Sequence, residues 1–433
     1  MSQTVPPQTR PSQARTPVPG WYGADPLDPE HQYDPYPGFR ELRETMPVSL
    51  TPWGNWRVTR YADCVRVLKE LPSGMRLRNG LLPGQSPDDP AIGQAAFMLL
   101  QDPPAHTRLR KLVSRAFTPR AVESWRPRIQ AITDRLLDAV SERGEMDVIA
   151  DLALPVPSTL ICELLGVPVE DRELFTQWTA DATHGLALRR GNLPPELVAR
   201  VERARTGLAG YFSQLIEARR GQDRGDLLSV LIRAEEDGDK LTPGELIVQS
   251  IGLLIAGFET TIGLIGNGVT TLIRHPGELA RLRARPELIE SAVEECLRCS
   301  GPITMTVRVL HADAEIGGFR IPADAEVSVV TAAANRDPAC YRDPERFDVE
   351  RFARAPAPPP HLAFGGGVHF CLGAHLARLE TQIAIGSLVQ RFDELSLVDA
   401  RTQWGRSLFR VPARVPISFR ARELPPARRA ASA

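Results

Sequence analysis

The sequence predicts a mainly α protein with a small β component, folded as one large domain. Three observations carry this. Helical periodicity dominates from about Thr107 to Arg298, short β-like runs appear only near Val48–Val58 and after Arg298, and no linker is long enough to separate domains. With 433 residues, 42% hydrophobic and 24% charged, the chain can bury a large core. Its 52 Lys+Arg against 53 Asp+Glu give a formal net charge of -1, which excludes a whole-protein basic field; no nucleic-acid partner is expected.

The elements follow in order. Residues 1–20 (MSQTVPPQTRPSQARTPVPG) form a polar, Pro-rich arm without an apolar signal core, expected to be disordered, ahead of a single domain over 21–433. Tyr36-Pro37 leads into a helical pattern (Phe39, Leu42, Met46), and Val48–Val58 alternates around Trp53-Gly54-Asn55 as a hairpin. Val65, Val67 and Leu68 return to helical spacing, and a Gly-, Pro-, Asp- and Ser-rich loop follows over 72–94. Helical segments near 107–117, 121–141, 157–165, 195–219 and 226–236 are cut by Pro119, Gly144, Pro155, Gly166, Pro168, Pro194 and Gly221. Thr242-Pro243-Gly244-Glu245 is a capping box with Pro at the first helical position, and the helix it opens can run to His275-Pro276, roughly 48 Å. The apolar stretch Leu246–Ile265 inside it is interrupted by Gln249, Ser250, Glu259, Thr260 and Thr261, a poor transmembrane span, so no membrane is expected. After Arg298 come β-like runs at Thr306–Leu310, Ala314–Ile316 and Glu326–Val330, a Pro- and Arg-rich tract to about Pro360, a last amphipathic helix from Leu372, and further β-like pieces. The six cysteines are too sparse for a disulfide scaffold and fit a reducing, cytoplasmic location.

Phe364-Gly365-Gly366-Gly367-Val368-His369-Phe370-Cys371-Leu372-Gly373 stands directly before the last helix. A cysteine at a helix N-terminus has free amides and the helix dipole to favour its thiolate. Glycines at 366, 367 and 373 let the backbone fold around the sulfur and approach a flat ligand, and the Phe364 ring can shield it. Ala256-Gly257-Phe258-Glu259-Thr260-Thr261 lies within the long helix, where a glycine and a hydroxyl bonded to a preceding carbonyl can open the backbone ladder. Glu295-Cys296-Leu297-Arg298 puts a carboxylate and a guanidinium on one helical face, as do Glu202/Arg205, Glu217/Arg220 and Glu278/Arg281. Cys296 and Cys299 are formally C-x-x-C but lack the following His of a c-type haem site and read as two packed thiols. His369, Cys371 and His375 lack a fourth ligand for structural zinc.

Together the 364–373 string, the 256–261 segment and E-x-x-R resemble the cytochrome P450 family, and the similarity extends from about Gly20 onward. The resemblance implies a P450-like catalytic domain holding haem b, with Cys371 as the axial iron ligand that pushes electron density to favour O–O cleavage. It implies that Ala256, Gly257, Glu259 and Thr260 form the oxygen-activation motif, with Glu259 and Thr260 supplying protons. It nominates His106, Arg110, Arg308 and His369 for the haem propionates, with Phe364 and Gly373 completing the cofactor loop. In the family a second Arg from a Pro-Glu-Arg-Phe segment joins the E-x-x-R pair in a buried network; Arg346 of Pro344–Phe347 is the matching residue.

A ferredoxin and ferredoxin reductase would supply electrons, since no flavin or Fe–S segment is recognisable. The acid-free run Pro103–Val122 would contribute Arg108, Lys111 and Arg115 to the ferredoxin footprint. The implied protein is a monomeric monooxygenase that hydroxylates or epoxidises a hydrophobic small molecule (terpenoid, steroid, fatty acid or polyketide) with O2. Family positions put its pocket around Leu81-Leu82, Phe97, Thr183-His184-Leu186, Leu253, Ala256, Ile303–Met305 and Leu408-Phe409. Two other readings stay open: peroxide-driven or oxidative-coupling chemistry, against which the Glu259-Thr260 pair weighs, and a non-catalytic haem protein that senses or carries a gas.

Overall fold

The computed structural model describes residues 33–51, 54–88, 96–183, 195–236, 241–404 and 409–422. The 1–20 arm, Trp53 of the expected hairpin turn, and His184, Leu186 and Leu408 of the expected pocket lie outside the described residues. Helix α1 (Tyr36–Thr45), hairpin β1 (Val48–Leu50) and β2 (Trp56–Val58), and α2 (Tyr61–Val65) come first. The turn after α2 widens, with Leu71 N–H donating to Arg66 O (2.8 Å), and the two-residue β3 (Ser73–Gly74) follows. The helical body comprises α3 (Ala105–Val113), α4 (Pro119–Glu123), α5 (Arg126–Val140), α6 (Pro155–Leu164), α7 (Arg172–Thr183), α8 (Pro195–Arg219) and α9 (Leu227–Glu236), with β4 (Glu145–Asp147) between α5 and α6. Then come α10 (Pro243–Arg274), α11 (Pro276–Ala284) and α12 (Ile289–Ser300). Strands β5 (Thr306–Leu310), β6 (Ala314–Ile316), β7 (Phe319–Ile321) and β8 (Glu326–Val329) precede α13 (Thr331–Ala334) and α14 (Ala374–Arg391). The described chain closes with β9 (Phe392–Leu397), β10 (Gln403–Trp404), β11 (Pro412–Arg414) and β12 (Pro416–Ala421). A mainly α architecture with minor sheet is what the sequence predicts.

α10 is the axis. Its start is chemically fixed: Thr242 Oγ1 accepts from Glu245 N–H (3.2 Å) while Glu245 Oε2 accepts from Thr242 N–H (3.0 Å), satisfying two donors that a helix end leaves open. It runs 32 residues without a break. Among the described residues this helix alone has the length and composition to cross a membrane; here Leu253, Leu254, Phe258, Ile262, Leu264 and Ile265 are buried against other helices. They join one apolar core with Leu160 and Ile161 of α6, Phe212 of α8, Val293 of α12 and Ile385 of α14. Burying each such side chain stabilises by about 1.5–3 kcal/mol, so the faces of α10 fix where its neighbours lie.

The main sheet packs apart from the helical core, whereas β4, β9 and β12 join that core through Met146, Phe392 and Ile417. The main sheet has the order β1-β2-β8-β5-β3, with β2 and β8 parallel and the other pairs antiparallel, over a second cluster that includes Val58, Val67, Leu68, Leu310 and Val327. Leu68 lines the Gly366-Gly367 turn, so this sheet and the wide turn before it position the cysteine loop.

Candidate active site

Cys371 is carried on a loop tied down by its own backbone. Its N–H donates to Phe364 O (3.0 Å), Gly365 N–H to Leu362 O (2.9 Å) and Phe370 N–H to Gly367 O (3.1 Å). Gly367 has φ +67°, and a Cβ there would stand 2.2 Å from Leu68 O. Neither the torsion nor the approach tolerates a side chain. We expect Gly367→Ala to cost about 1–3 kcal/mol, checked by denaturant unfolding, and to lower cofactor content. Gly373 differs from expectation: with φ -84° and no protein atom within 4 Å of a Cβ, the protein itself does not require glycine there.

The Cys371 side chain is exposed, yet protein surrounds it closely enough that burial pushes its thiol up. The Gly373 amide and the charges of Arg110 and Arg378 oppose that. The amide at the helix start and the two guanidinium groups therefore act together in favour of S⁻, against burial. Arg378 stacks on Phe364, its Cζ 4.5 Å from the ring centroid, and is clamped by Glu294 (2.6 and 2.9 Å). His361 Nε2 lies 3.1 Å from the same carboxylate. Burial opposes ionisation of Glu294, but Arg378 and His361 outweigh it and hold the carboxyl at about 2.

Beside this loop the four nominated cofactor cations converge. The rings of His106 and His369 are 4.4 Å apart, and both side chains are buried. Arg110 Nη1 donates to Val368 O (3.2 Å), which ties α3 to the loop. Arg308, buried on β5, donates to Val307 O (2.7 Å) and reaches Gly366 O at 3.5 Å. Burial, then the charges of His369, Arg110 and Arg308, push His106 down to about 4, and burial lowers Arg308 to about 10. A buried imidazole depressed by the positive charges around it marks a site that favours anionic groups. His106 Nδ1 and His369 Nδ1 are buried without hydrogen-bond partners.

Asp102, for which the sequence analysis names no role, is the carboxylate among the described residues of this cluster. It accepts from Met75 N–H (2.8 Å) and Arg76 N–H (3.0 Å) and lies 3.5 Å from His369 Nε2, close enough for charge attraction but without hydrogen-bond alignment. Burial opposes its ionisation, but these contacts hold it at about 2. Gly74 makes room for it: a Cβ there would meet Asp102 Oδ2 at 2.4 Å. The signal in the sequence was an Asp-Pro-Pro step at the entry to α3.

On α10, Thr260 Oγ1 donates to Ala256 O (3.3 Å), the hydroxyl-to-carbonyl bond the motif suggests. Ala256 is exposed although Leu253, Leu254 and Phe258 around it are buried. The expected backbone opening at Gly257 is absent. α10 is continuous there, and a Cβ on Gly257 would meet Ile161 Cδ1 at 2.9 Å, so this glycine serves the crossing with α6. Of the expected pocket residues, Phe97 packs on Gly252, where a Cβ would stand 2.1 Å from its ring, and Gln249 ties 96–98 to α10 through Met98 N–H (3.0 Å) and Ala96 O (3.1 Å). A cavity of about 290 Å³ lined by Trp178, Asp181 and Arg200 shares no residue with this cluster.

The network around Glu295 corrects a residue. Arg298 clamps Glu295 with two bonds of 2.7 Å, and Arg351 Nε reaches both carboxylate oxygens at 3.0 and 3.1 Å; Glu295 and Arg298 are 0% and 1% exposed. Arg346, the residue matched from the sequence, has a side chain 58% exposed, 3.9 Å from Glu278, and only its carbonyl enters the network. The local pattern Glu-Arg-Phe occurs twice, at 345–347 and 350–352, and only the second arginine folds inward. Cys296 and Cys299 are buried free thiols as expected, with Cys299 accepting from Arg298 Nη2 (2.8 Å) and pushed up to about 12 by burial.

The arrangement suits a flat metal macrocycle. It offers a soft sulfur donor on a glycine turn, cations with unused nitrogens for carboxylates, and a helix with an exposed hydroxyl-bonded turn. Comparisons with known proteins agree. The cytochrome P450 family model matches residues 87–404. The chain is 44% identical over 372 residues to the cytochrome P450 monooxygenase PikC of Streptomyces venezuelae, covering 84% of this chain and 85% of that protein. It is 39% identical over 395 residues to the vitamin D(3) 25-hydroxylase of Pseudonocardia autotrophica, covering 89% and 94%. Its structure is similar to that of P450BioI in complex with an acyl carrier protein bearing hexadec-9Z-enoic acid, with TM-score 0.81, 37% identity and coverage of 90% and 99%.

Proposed function

This chain belongs to the cytochrome P450 family and is a monooxygenase acting on hydrophobic small molecules, and from that premise we propose that it binds haem b through Cys371 Sγ and hydroxylates or epoxidises a medium to large apolar substrate. Haem, when bound, supplies activation of O2, and a thiolate ligand favours O–O cleavage. The observation that carries the assignment is the exposed Cys371 thiol on a glycine-strained loop, beside cations that lack enough carboxylates of their own. His106, Arg110, Arg308 and His369 would hold the two propionates, whose negative charge would offset the neighbouring positive charges that, after burial, depress His106. Gly373, for which the protein gives no reason, lets the porphyrin plane approach, and Phe364 shields the sulfur. Arg110 and Arg378 stabilise S⁻ against burial.

Thr260 Oγ1, anchored on Ala256 O, passes the proton, and the Glu259 carboxyl one residue earlier resupplies it. Thr260→Ala therefore lowers product formed per NADH by about tenfold or more while peroxide-driven turnover is retained. Undiminished NADH-coupled product would remove Thr260 from proton delivery. The reduced, CO-bound spectrum of the purified protein tests the ligand assignment: a thiolate gives the strongly red-shifted Soret band, and a histidine-type band overturns Cys371.

The substrate class rests on the apolar expected lining and on relatives that act on or hold largely apolar molecules, vitamin D3 and a fatty acyl chain among them. A compound library screened for shifts of the resting Soret band identifies it. A ferredoxin, reduced by its reductase, delivers electrons on the side of α3. Lys111 and Arg115 are exposed there, whereas Arg108 is partly neutralised by Glu245 at the start of α10. Raising salt slows ferredoxin-driven turnover several-fold and leaves peroxide-driven turnover unchanged, since exposed charges are screened over about 10 Å at 0.1 M. Equal losses in both would remove α3 from the footprint. The free cysteines agree with the reducing, cytoplasmic location expected from the sequence.

A further inference from the structure

We propose that Glu294 is a positioning residue for the Cys371 site: by holding Arg378 and His361 against Phe364 it sets how much positive charge reaches the sulfur, and through it the reduction potential of the bound iron. The inference rests on Cys371 as the haem ligand. Glu294 and Glu295 are neighbours on α12 but turn to different partners. Glu295 faces Arg298 and Arg351, whereas Glu294 Oε1 accepts from Arg378 Nε (2.6 Å) and Oε2 accepts from Arg378 Nη2 (2.9 Å) and lies 3.1 Å from His361 Nε2. Both partners of Glu294 border the same ring. Arg378 Cζ is 4.5 Å from the Phe364 centroid, and the His361 ring is 5.9 Å from it. Phe364 in turn offers the carbonyl that fixes the Cys371 amide. One carboxylate thus joins α12 to α14 and to the segment that enters the cysteine loop.

The charges follow from the hydrogen bonds. His361 Nδ1 accepts from Ala363 N–H (3.3 Å), so it carries no proton, and the N–H of the ring is the one aimed at Glu294. Arg378 keeps its charge, as guanidinium groups do. Burial opposes ionisation of Glu294, but Arg378 and His361 outweigh it. The three side chains are therefore an ion pair with one neutral donor. Their positive member is the one stacked on Phe364 and felt at the Cys371 sulfur. The Arg378 and Glu294 side chains are 25% and 24% exposed and that of His361 2%, so solvent screens the pair only in part. Positive charge near a thiolate ligand favours the state with one more electron, and negative charge disfavours it. Arg378 therefore raises the potential of the site, and Glu294 offsets that rise while fixing where the guanidinium lies.

Redox titration of the purified holoenzyme, with the reduced CO spectrum recorded on each preparation, tests the assignment. Glu294→Gln keeps an oxygen for Arg378 but removes the negative charge, and should raise the equilibrium constant for one-electron reduction roughly tenfold, which is about 59 mV. Arg378→Gln removes the positive charge and should lower that constant by a similar factor. The double variant should return to within about twofold of wild type. Arg378→Lys, which keeps the charge without the fork, should lie nearer wild type than Arg378→Gln even where its denaturant midpoint falls. A structural role alone would lower unfolding midpoints and give the two charge changes no opposite signs. Single variants that shift in the same direction, or by less than about twofold each, overturn the proposal. Where one of them does not fold, the sign of the other decides. A wild-type CO adduct without the thiolate band overturns the ligand reading itself, whereas a thiolate band with unmoved potentials overturns only the role of Glu294.

Discussion

Replacing Cys371 by alanine is expected to abolish the red-shifted Soret band of the reduced CO adduct and to lower redox-partner-driven turnover by at least about 10³-fold, while the protein stays folded. The two halves of this expectation have separate causes. Loop geometry is held by main-chain bonds, from Cys371 N–H to Phe364 O and from Phe370 N–H to Gly367 O, which alanine makes equally well. The side chain itself is exposed, so its truncation leaves no cavity and changes unfolding free energy by less than about 0.5 kcal/mol. Only the sulfur is lost. With it goes the one soft donor facing the cluster of His106, Arg110, Arg308 and His369. Absorbance of the reduced CO complex and denaturant unfolding of the same preparation check both halves; an unchanged spectrum moves the ligand elsewhere and withdraws the haem assignment at this loop.

Features written in short, contiguous strings were legible in the sequence. The capping box at Thr242 set the start of α10, His275-Pro276 set its end, and the 364–373 loop declared its cysteine through glycines that the backbone requires. Interactions that depend on which of two equivalent neighbours turns inward were not. Gly257 has the composition of a backbone opening, yet its missing Cβ is used by Ile161 from a helix almost a hundred residues earlier in the chain, a contact no local pattern encodes. The role of Asp102 is not written in its local sequence, because its partners, the amides of Met75 and Arg76 and the ring of His369, are brought together only when β3, α3 and the cysteine loop pack. The pairing of Arg108 with Glu245 likewise weakened a basic run that is free of acids only along the chain.

The duplicated Glu-Arg-Phe pattern gives the second large expected effect, because it sets two arginines five residues apart against each other. Arg351→Ala is expected to destabilise by about 3–5 kcal/mol, whereas Arg346→Ala changes stability by less than about 0.5 kcal/mol. Arg351 is 9% exposed, and it donates to both oxygens of Glu295 and to the carbonyls of Arg342 (2.6 Å), Asp343 (3.1 Å) and Arg346 (2.8 Å). Truncating it leaves Glu295, fully buried, with one guanidinium instead of two and the Arg342 carbonyl without its donor, while the carbonyls of Asp343 and Arg346 keep bonds from Arg346 N–H and Arg298 Nη2. Arg298 cannot take over, because its own nitrogens are committed to Glu295 and to the carbonyls of Asn335, Pro344 and Arg346. A loss of this size is a large share of the 5–15 kcal/mol that keeps a typical domain folded, so Arg351→Ala should also yield less haem-loaded protein. Arg351→Lys should recover only a fraction of the loss, since an ammonium lacks the fork that spans carboxylate and carbonyls together. Denaturant midpoints of the three variants, read beside their haem content, decide between the two arginines: if Arg346→Ala is the damaging change, the inward assignment of Arg351 is wrong.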